Sequence, residues 1–130
     1  MAKARTPRDA REGIAVMRAA VDAAESMSSR LFRPVHLATL AAAYARLSEM
    51  DGALALVDEA IATMAQTGER RVEPALYRLR GELLFAVGRR SDGEQDLLTA
   101  LRVAGAQQAR AEAERAHKAI ARLAQKTPPP

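Results

Sequence analysis

Few side chains in this 130-residue sequence have the types and spacing needed for acid–base or metal chemistry. His36 and His117 are its only histidines, and they lie 81 residues apart without a carboxylate pair at ligand spacing. Glu112 and Glu114 are two positions apart, so a helix would place them on different faces. The absence of cysteine excludes thiolate metal sites and cysteine nucleophiles. We therefore predict no enzyme, no metal site and no cofactor, and a packing role for His117.

Two polar pairs have structural explanations that do not involve catalysis. Ser91 and Glu94 have the spacing of a capping box, in which the two side chains satisfy each other's backbone amides at a helix start. We predict that Ser91 caps a helix and is not a nucleophile. Asp58 and Glu59 are neighbours, and we predict that they lie on a solvated helix face.

The composition favours an all-helical cytoplasmic protein. Thirty residues are alanine and only 3% are aromatic, which suits close-packed helices better than a sheet. The sequence contains no apolar run of about 18 residues that could span a membrane. Its first residues lack the apolar stretch of a secretory signal, so we expect a cytoplasmic location.

The charge distribution is basic but uneven. The net charge is +4, and 17 of the 20 basic residues are arginine. Basic residues dominate 69–90 and 102–126, whereas the segment 49–59 is acidic. This basic C-terminal half makes nucleic acid a candidate partner. An arginine excess is also typical of GC-rich genomes, so composition alone leaves the question open.

Prolines, glycines and caps divide the chain into six predicted helices. Pro34 and Pro74 suit the first turn of a helix, and Gly68 can end one in the left-handed conformation. The predicted ranges are 7–27, 34–47, 51–66, 74–88, 91–104 and 110–126. Residues 1–6 are predicted to be a flexible arm and 127–130 a proline-rich tail, so that 7–126 form the folded domain.

The sequence repeats with a period of 40 residues. The repeat aligns Ala20 with Ala60 and Ala100, each followed by a branched apolar residue. It also aligns a second set of small residues, namely Gly13, Ala53 and Gly93. Small residues at fixed intervals are needed where helices touch, which predicts a stack of helix hairpins. Because residues 8–27 align with 48–67, the first helix corresponds to the second helix of a hairpin. One apolar helix face then lacks its partner helix. We expect either a fragment of a longer solenoid or a small protein that covers this face by forming a homodimer.

The repeat resembles a known helical family. Large, small and aromatic residues, followed by small, large and alanine, match the tetratricopeptide (TPR) pattern at Leu40, Ala41, Tyr44, Ala53, Val57 and Ala60. Longer segments resemble the C-terminal TPR-like region of bacterial multidomain signalling ATPases, which include adenylate/guanylate cyclases and related transcription regulators. The most specific segment is 78–84, and the resemblance covers roughly residues 10–124. The second repeat departs from the TPR pattern at Arg80, where a large apolar residue is expected.

This resemblance implies an all-α, right-handed helical-hairpin solenoid (an α-α superhelix). It also implies a non-catalytic protein–protein interaction module of bacterial signalling or regulation, because the phosphate loop, the cyclase domain and the DNA-binding domain of the family are missing from the sequence. Such a module would bind a peptide, a partner protein or another copy of itself.

The resemblance also predicts a binding surface. The first helix of each TPR hairpin lines the concave face, which here would carry five bases and one acid. The residues of this predicted groove are Arg46, Arg78, Glu82, Phe85, Arg115, Lys118 and Arg122, with Val35, Ala38 and Ala42 beside them. Arginine can grip a carboxylate in two-point fashion, so we expect an acidic peptide or partner helix. A solvated charged face would explain the same residues.

Two other functions stay open at this stage. The basic C-terminal half could bind nucleic acid, although base-stacking aromatic residues are lacking and the acidic third helix would repel phosphate. A small molecule could bind between repeats, in which case the chain would be a sensor module.

Overall fold

The computed structural model describes residues 7–27 and 32–125, which form six α-helices and contain no strand. The helices are α1 Pro7–Met27, α2 Arg33–Arg46, α3 Met50–Thr67, α4 Glu73–Ala86, α5 Arg90–Ala106 and α6 Arg110–Gln125. The predicted all-α class is confirmed, and the helix ends lie within two residues of their predicted positions. The predicted arm 1–6 and tail 127–130 lie outside the described residues.

The helices pack in chain order. Each helix contacts the next, and the most extensive contacts are within the pairs α2–α3 and α4–α5. In addition α2 contacts α4, and α4 contacts α6, whereas α1, α3 and α5 make no comparable contacts with one another. The core between these layers contains fully buried large side chains, namely Leu37, Leu40, Val57, Met64, Leu76 and Leu97. Burying each such side chain stabilises the fold by about 1.5–3 kcal/mol.

Small residues mark the crossing points of the two central hairpins. Ala41 and Ala53 are fully buried between α2 and α3. At the repeat-related positions of α4 and α5, a Cβ atom added to Gly81 would lie 2.8 Å from the carbonyl oxygen of Gly93. The predicted small-residue contact is therefore confirmed in both hairpins, and in the second it admits no side chain at all.

The end copies of the repeat differ from the central ones. Ala60 and Ala100 are fully buried, but Ala20 is exposed, so the predicted contact is absent from the first copy. The predicted packing role of His117 is also wrong, because its side chain is exposed. Ala20 lines an open cleft of about 340 Å³ between α1 and α2, where His36 and Thr39 lie opposite it.

Three tight turns share one backbone geometry. Ser48, Gly88 and Gln108 have φ angles of 60°, 86° and 57°, and each follows the last turn of a helix. The next residue then donates its amide back into that helix, as in the bond from Arg89 N–H to the Leu84 carbonyl oxygen (2.8 Å). This six-to-one bond is typical of a Schellman ending. Gly68, with φ 76°, ends α3 as predicted.

The predicted capping box at Ser91 is wrong. Helix α5 begins at Arg90, one residue earlier, and no side chain caps it. The turn from α4 delivers the chain directly into α5, so that the carbonyl oxygen of Arg89 already accepts from the amide of Gly93 (3.0 Å). Ser91 is left exposed inside the first turn.

Candidate interaction surface

The predicted groove residues of α4 and α6 lie side by side. Glu82 of α4 accepts a hydrogen bond from Arg78 on its own helix (Nη1 to Oε1, 3.0 Å). Its other oxygen accepts from Arg122 of α6 (Nη2 to Oε2, 3.0 Å). One carboxylate therefore joins the two helices, and three of the predicted groove residues meet there.

A second carboxylate in this region was missed by the sequence analysis. Glu112 accepts from Arg115 one turn along α6 (Nη1 to Oε1, 2.6 Å), and it faces Arg78 across the interface (Nε to Oε2, 3.8 Å). The surface therefore contains two acids, where one was predicted. Only the i,i+3 spacing to Arg115 could have indicated the role of Glu112. We call these five residues the α4–α6 ladder: Arg78, Glu82, Glu112, Arg115 and Arg122.

The ladder is not uniformly tight. The Nε atom of Arg78 and the Oε2 atom of Glu112 are both buried without a hydrogen-bond partner. Their separation of 3.8 Å is an ion-pair distance, but it is too long for a hydrogen bond. Glu82 therefore contributes the better link between α4 and α6.

Two predicted groove residues are cations outside the ladder. Arg46 of α2 and Lys118 of α6 are exposed, and neither forms an ion pair with any residue that the structure describes. They remain available to a partner, whereas the three arginines of the ladder already have carboxylate partners.

The predicted residue Phe85 lies at one end of the ladder. Its ring packs over Gly93, where an added Cβ atom would lie 2.7 Å from the ring. The guanidinium carbon of Arg90 is 6.0 Å from the ring centroid, at the limit of a cation–π contact. Glu82 and Arg122 join these residues around an open cleft of about 430 Å³.

A second, mainly apolar cleft lies near the N-terminal ends of α2 and α4. Phe32 and Val35 are 61% and 47% exposed, and Val72 lies half-buried beside them. With Glu69 and Arg71 they line a cleft of about 220 Å³. Of the predicted groove residues, Val35 therefore lies at this cleft, whereas Ala38 and Ala42 are half-buried along α2.

A separate charged cluster joins α3, α4 and α5. Arg80 donates two hydrogen bonds to Asp96 (2.7 and 3.1 Å) and a third to Asp58 (3.0 Å). The pKa of Arg80 is raised above its ordinary value, chiefly because Asp96 accepts hydrogen bonds from the charged form; Asp58 adds to this, and partial burial opposes it. Its guanidinium carbon also lies 5.3 Å from the ring centroid of Tyr77. Arg80, where TPR repeats have an apolar residue, is thus a paired cation.

The prediction that Asp58 and Glu59 lie on a solvated helix face is confirmed for Asp58, which is exposed, whereas Glu59 is half-buried; both acids also form ion pairs. Asp58 binds Arg80 as described above. Glu59 is half-buried and accepts a 2.7 Å hydrogen bond from Arg33 of α2, and it lies 3.8 Å from Arg18 of α1. These acids connect α3 to its neighbours on both sides.

The described residues offer no group of histidine, aspartate and glutamate that could hold a metal ion. None of the described helices combines the length and hydropathy required to cross a bilayer. No protein-family model, curated protein or solved structure matches the chain.

Proposed function

We propose that this chain is a non-catalytic protein–protein interaction scaffold: a TPR-like, right-handed solenoid in the bacterial cytoplasm, acting in signalling or regulation. The observation that carries the proposal is the ladder, which lies across α4 and α6. Two further exposed cations have no ion-pair partner among the described residues, namely Lys118 on α6 and Arg46 on α2. The scaffold's partner is an acidic peptide, an acidic protein segment or another copy of the chain.

The contacts between alternate helices support a curved stack. Helices on the inner side of a curved stack come closer together than those on the outer side. Here α2, α4 and α6 touch in sequence, and α3 and α5 do not approach comparably. An open cleft of about 430 Å³ between α3 and α5, lined by Asp58, Arg80 and Asp96, is consistent with splayed outer helices. The ladder then lies on the inner surface.

The charge balance of this surface favours an acidic partner. The predicted groove residues and Glu112 together carry five bases and two acids. Glu82 and Glu112 already pair with the three arginines of the ladder. We therefore expect Arg46 and Lys118 to contribute most of the electrostatic attraction for an acidic segment. An incoming carboxylate can add to the paired arginines, since each guanidinium has five donors.

We expect reversal of either unpaired cation to weaken acidic-peptide capture. Arg46→Glu and Lys118→Glu should each reduce the affinity for a fluorescein-labelled oligo-glutamate peptide by roughly threefold, because an exposed attraction becomes a repulsion of similar size. Fluorescence anisotropy measures the affinity, and circular dichroism checks that the helicity is unchanged.

The matched control for this experiment is Arg102→Glu. Arg102 is an exposed residue of α5, and its reversal changes the net charge by the same amount. Equal losses for Arg102→Glu and Lys118→Glu would show that net charge alone governs binding, and the surface assigned here would be wrong. Arg78 is less suitable for reversal because a glutamate there would face Glu82 and Glu112.

Ion pairing weighs against the nucleic-acid alternative. Within 69–90, these arginines lie within 4 Å of a carboxylate: Arg70, Arg71, Arg78, Arg80 and Arg89. Each phosphate contact would have to compete with an acid that is already in place. We therefore expect no retardation of a DNA duplex at low salt in an electrophoretic shift assay. Retardation with a steep salt dependence would restore this alternative.

A further inference from the structure

The two complete hairpins show which repeat positions meet across a pair of helices. Positions 41 and 53 form the small-residue crossing of α2–α3, and positions 81 and 93 form that of α4–α5. A second pair of positions lies beside each crossing. In the first hairpin it holds Leu40 and Leu56, both buried in the core, and in the second it holds the paired Arg80 and Asp96.

The third copy of these positions is divided between the two ends of the stack. By the 40-residue repeat, the crossing residues are Ala121 of α6 and Gly13 of α1, and the second pair is Ile120 with Val16. These helices carry uncovered faces: Val16 is 69% exposed, Ala121 is exposed, and nothing lies within 4 Å of a Cβ atom added to Gly13. In the central hairpins the corresponding small residues are fully enclosed.

The chemistry at these end positions is complementary. The second pair consists of two apolar residues in the first hairpin, and of a cation and an anion in the second hairpin. Between α6 and α1 it would again be apolar with apolar, Ile120 with Val16. Among the described residues, each end therefore presents one half of the same hairpin contact. Helix α6 occupies the place of a first helix with no described second helix, and α1 that of a second helix with no described first helix.

The charges of the two helices distinguish between possible ways of pairing. Helix α6 contains four arginine or lysine residues and two glutamates, whereas α1 contains three arginines and four acidic residues. An α6–α1 contact brings together opposite net charges, and a symmetric contact of α1 with α1, or of α6 with α6, brings together like charges.

From these observations we infer that a second copy of the chain covers the end faces, with α6 of one copy packing against α1 of the next as the missing third hairpin. This inference rests on the proposed stack of repeats and names one partner for it. It does not depend on the ladder or on the acidic-peptide partner.

This contact is heterologous, so it does not close on itself in a dimer. Each added copy presents the same two free ends, which produces a series of oligomers beginning with the dimer, or a closed ring. The weight-average mass should therefore rise above 14.0 kDa as the concentration increases through the micromolar range.

Two blocking variants test the direction of assembly by sedimentation equilibrium. Val16→Glu blocks the α1 end, and Ala121→Glu blocks the α6 end; each variant alone should remain a 14.0 kDa monomer. In an equimolar mixture, the intact α6 of Val16→Glu can pack against the intact α1 of Ala121→Glu. The two remaining ends of that dimer both carry a glutamate and cannot pair. The mixture should therefore stop at the mass of a dimer. The matched control is Ala15→Glu, because position 15 and its repeat equivalents Ala55 and Gln95 are all exposed, and it should assemble like the unmodified chain.

Cysteine pairing provides a second measurement that does not rely on blocking. The chain has no cysteine, so Val16→Cys and Ile120→Cys introduce single thiols. Mixed under mild oxidation, these variants should form a disulfide-linked heterodimer, and Ala15→Cys with Ile120→Cys should not. A monomeric unmodified chain, or a Val16→Cys homodimer in preference to the heterodimer, would overturn the inference. A monomer that still captures oligo-glutamate would leave the proposed function standing.

Discussion

Asp96→Leu alone should lower the free energy of unfolding by about 2–4 kcal/mol, and the double variant Arg80→Leu/Asp96→Leu should recover most or all of that loss. The side chain of Asp96 is only 12% exposed and holds Arg80 with two hydrogen bonds. Removing it leaves the half-buried guanidinium with Asp58 as its remaining acidic partner. A charged group left incompletely paired in a low-dielectric site destabilises more than the loss of both charges does.

The first hairpin provides the precedent for the double variant. At the repeat-related positions it has Leu40 and Leu56, which are 0% and 4% exposed and belong to the hydrophobic core. Leucines at 80 and 96 would therefore reproduce a pair that this same architecture already packs. The matching substitution Arg80→Leu alone should also destabilise, since Asp96 would lose the donor of both its hydrogen bonds.

The measurement is a double-mutant cycle in urea, followed by circular dichroism. The effects of the two single changes should be strongly non-additive. The coupling energy should be about 2–4 kcal/mol and should favour the Arg–Asp and Leu–Leu pairs over the two mixed pairs. Additive losses, with the double variant the least stable of the three, would show that the second hairpin cannot accept the packing of the first. The proposed α6–α1 contact, which is inferred from the equivalence of the two central hairpins, would then also be less well supported.

The sequence predicted the helices well because their ends are determined locally. Proline fixes the start of α2, and glycine permits the left-handed turn after α3, whatever the rest of the chain does. The capping box failed for a different reason. The local pattern of Ser91 and Glu94 competes with the turn from α4, whose backbone hydrogen bonds start α5 one residue earlier.

The side-chain pairings were harder to predict because they depend on contacts between helices. The repeat brought Arg78, Glu82 and Arg122 into one predicted surface, and the structure does place them together. Glu112 was missed because its partner Arg78 is 34 positions away in sequence. The pairing of Arg80 with Asp96 was also missed, although a charged residue at an apolar repeat position is a signal to look for an opposite charge at the facing one.

The exposure of His117 and Ala20 shows a further limit of repeat alignment. A repeat position predicts burial only if the neighbouring helix that covers it is present. In α2–α3 and α4–α5 that helix is adjacent in the chain, so Ala60 and Ala100 are buried. In α1 and α6 the corresponding positions are exposed: Ala20 lines an open cleft beside α2, and His117 is exposed on α6.

Gly93→Ala should destabilise the fold by about 1–3 kcal/mol, although alanine is a better helix former than glycine. An added Cβ atom would lie 2.7 Å from the carbonyl oxygen of Gly81 and 2.7 Å from the ring of Phe85. The ring can rotate away, but the carbonyl belongs to the backbone of α4. The two helices must therefore move apart, which loosens the packing around Leu97.

The matched control is Gly105→Ala in the same helix. Nothing lies within 4 Å of a Cβ atom added to Gly105, so only helix propensity changes, and stability should rise by about 0.5–1 kcal/mol. Thermal and urea unfolding of both variants measure the difference. Opposite signs for one substitution at two positions of α5 would locate the tight crossing at Gly93, and a gain at both positions would contradict it. The first hairpin accommodates alanine at its crossing, where Gly52 under Tyr44 provides the close approach instead.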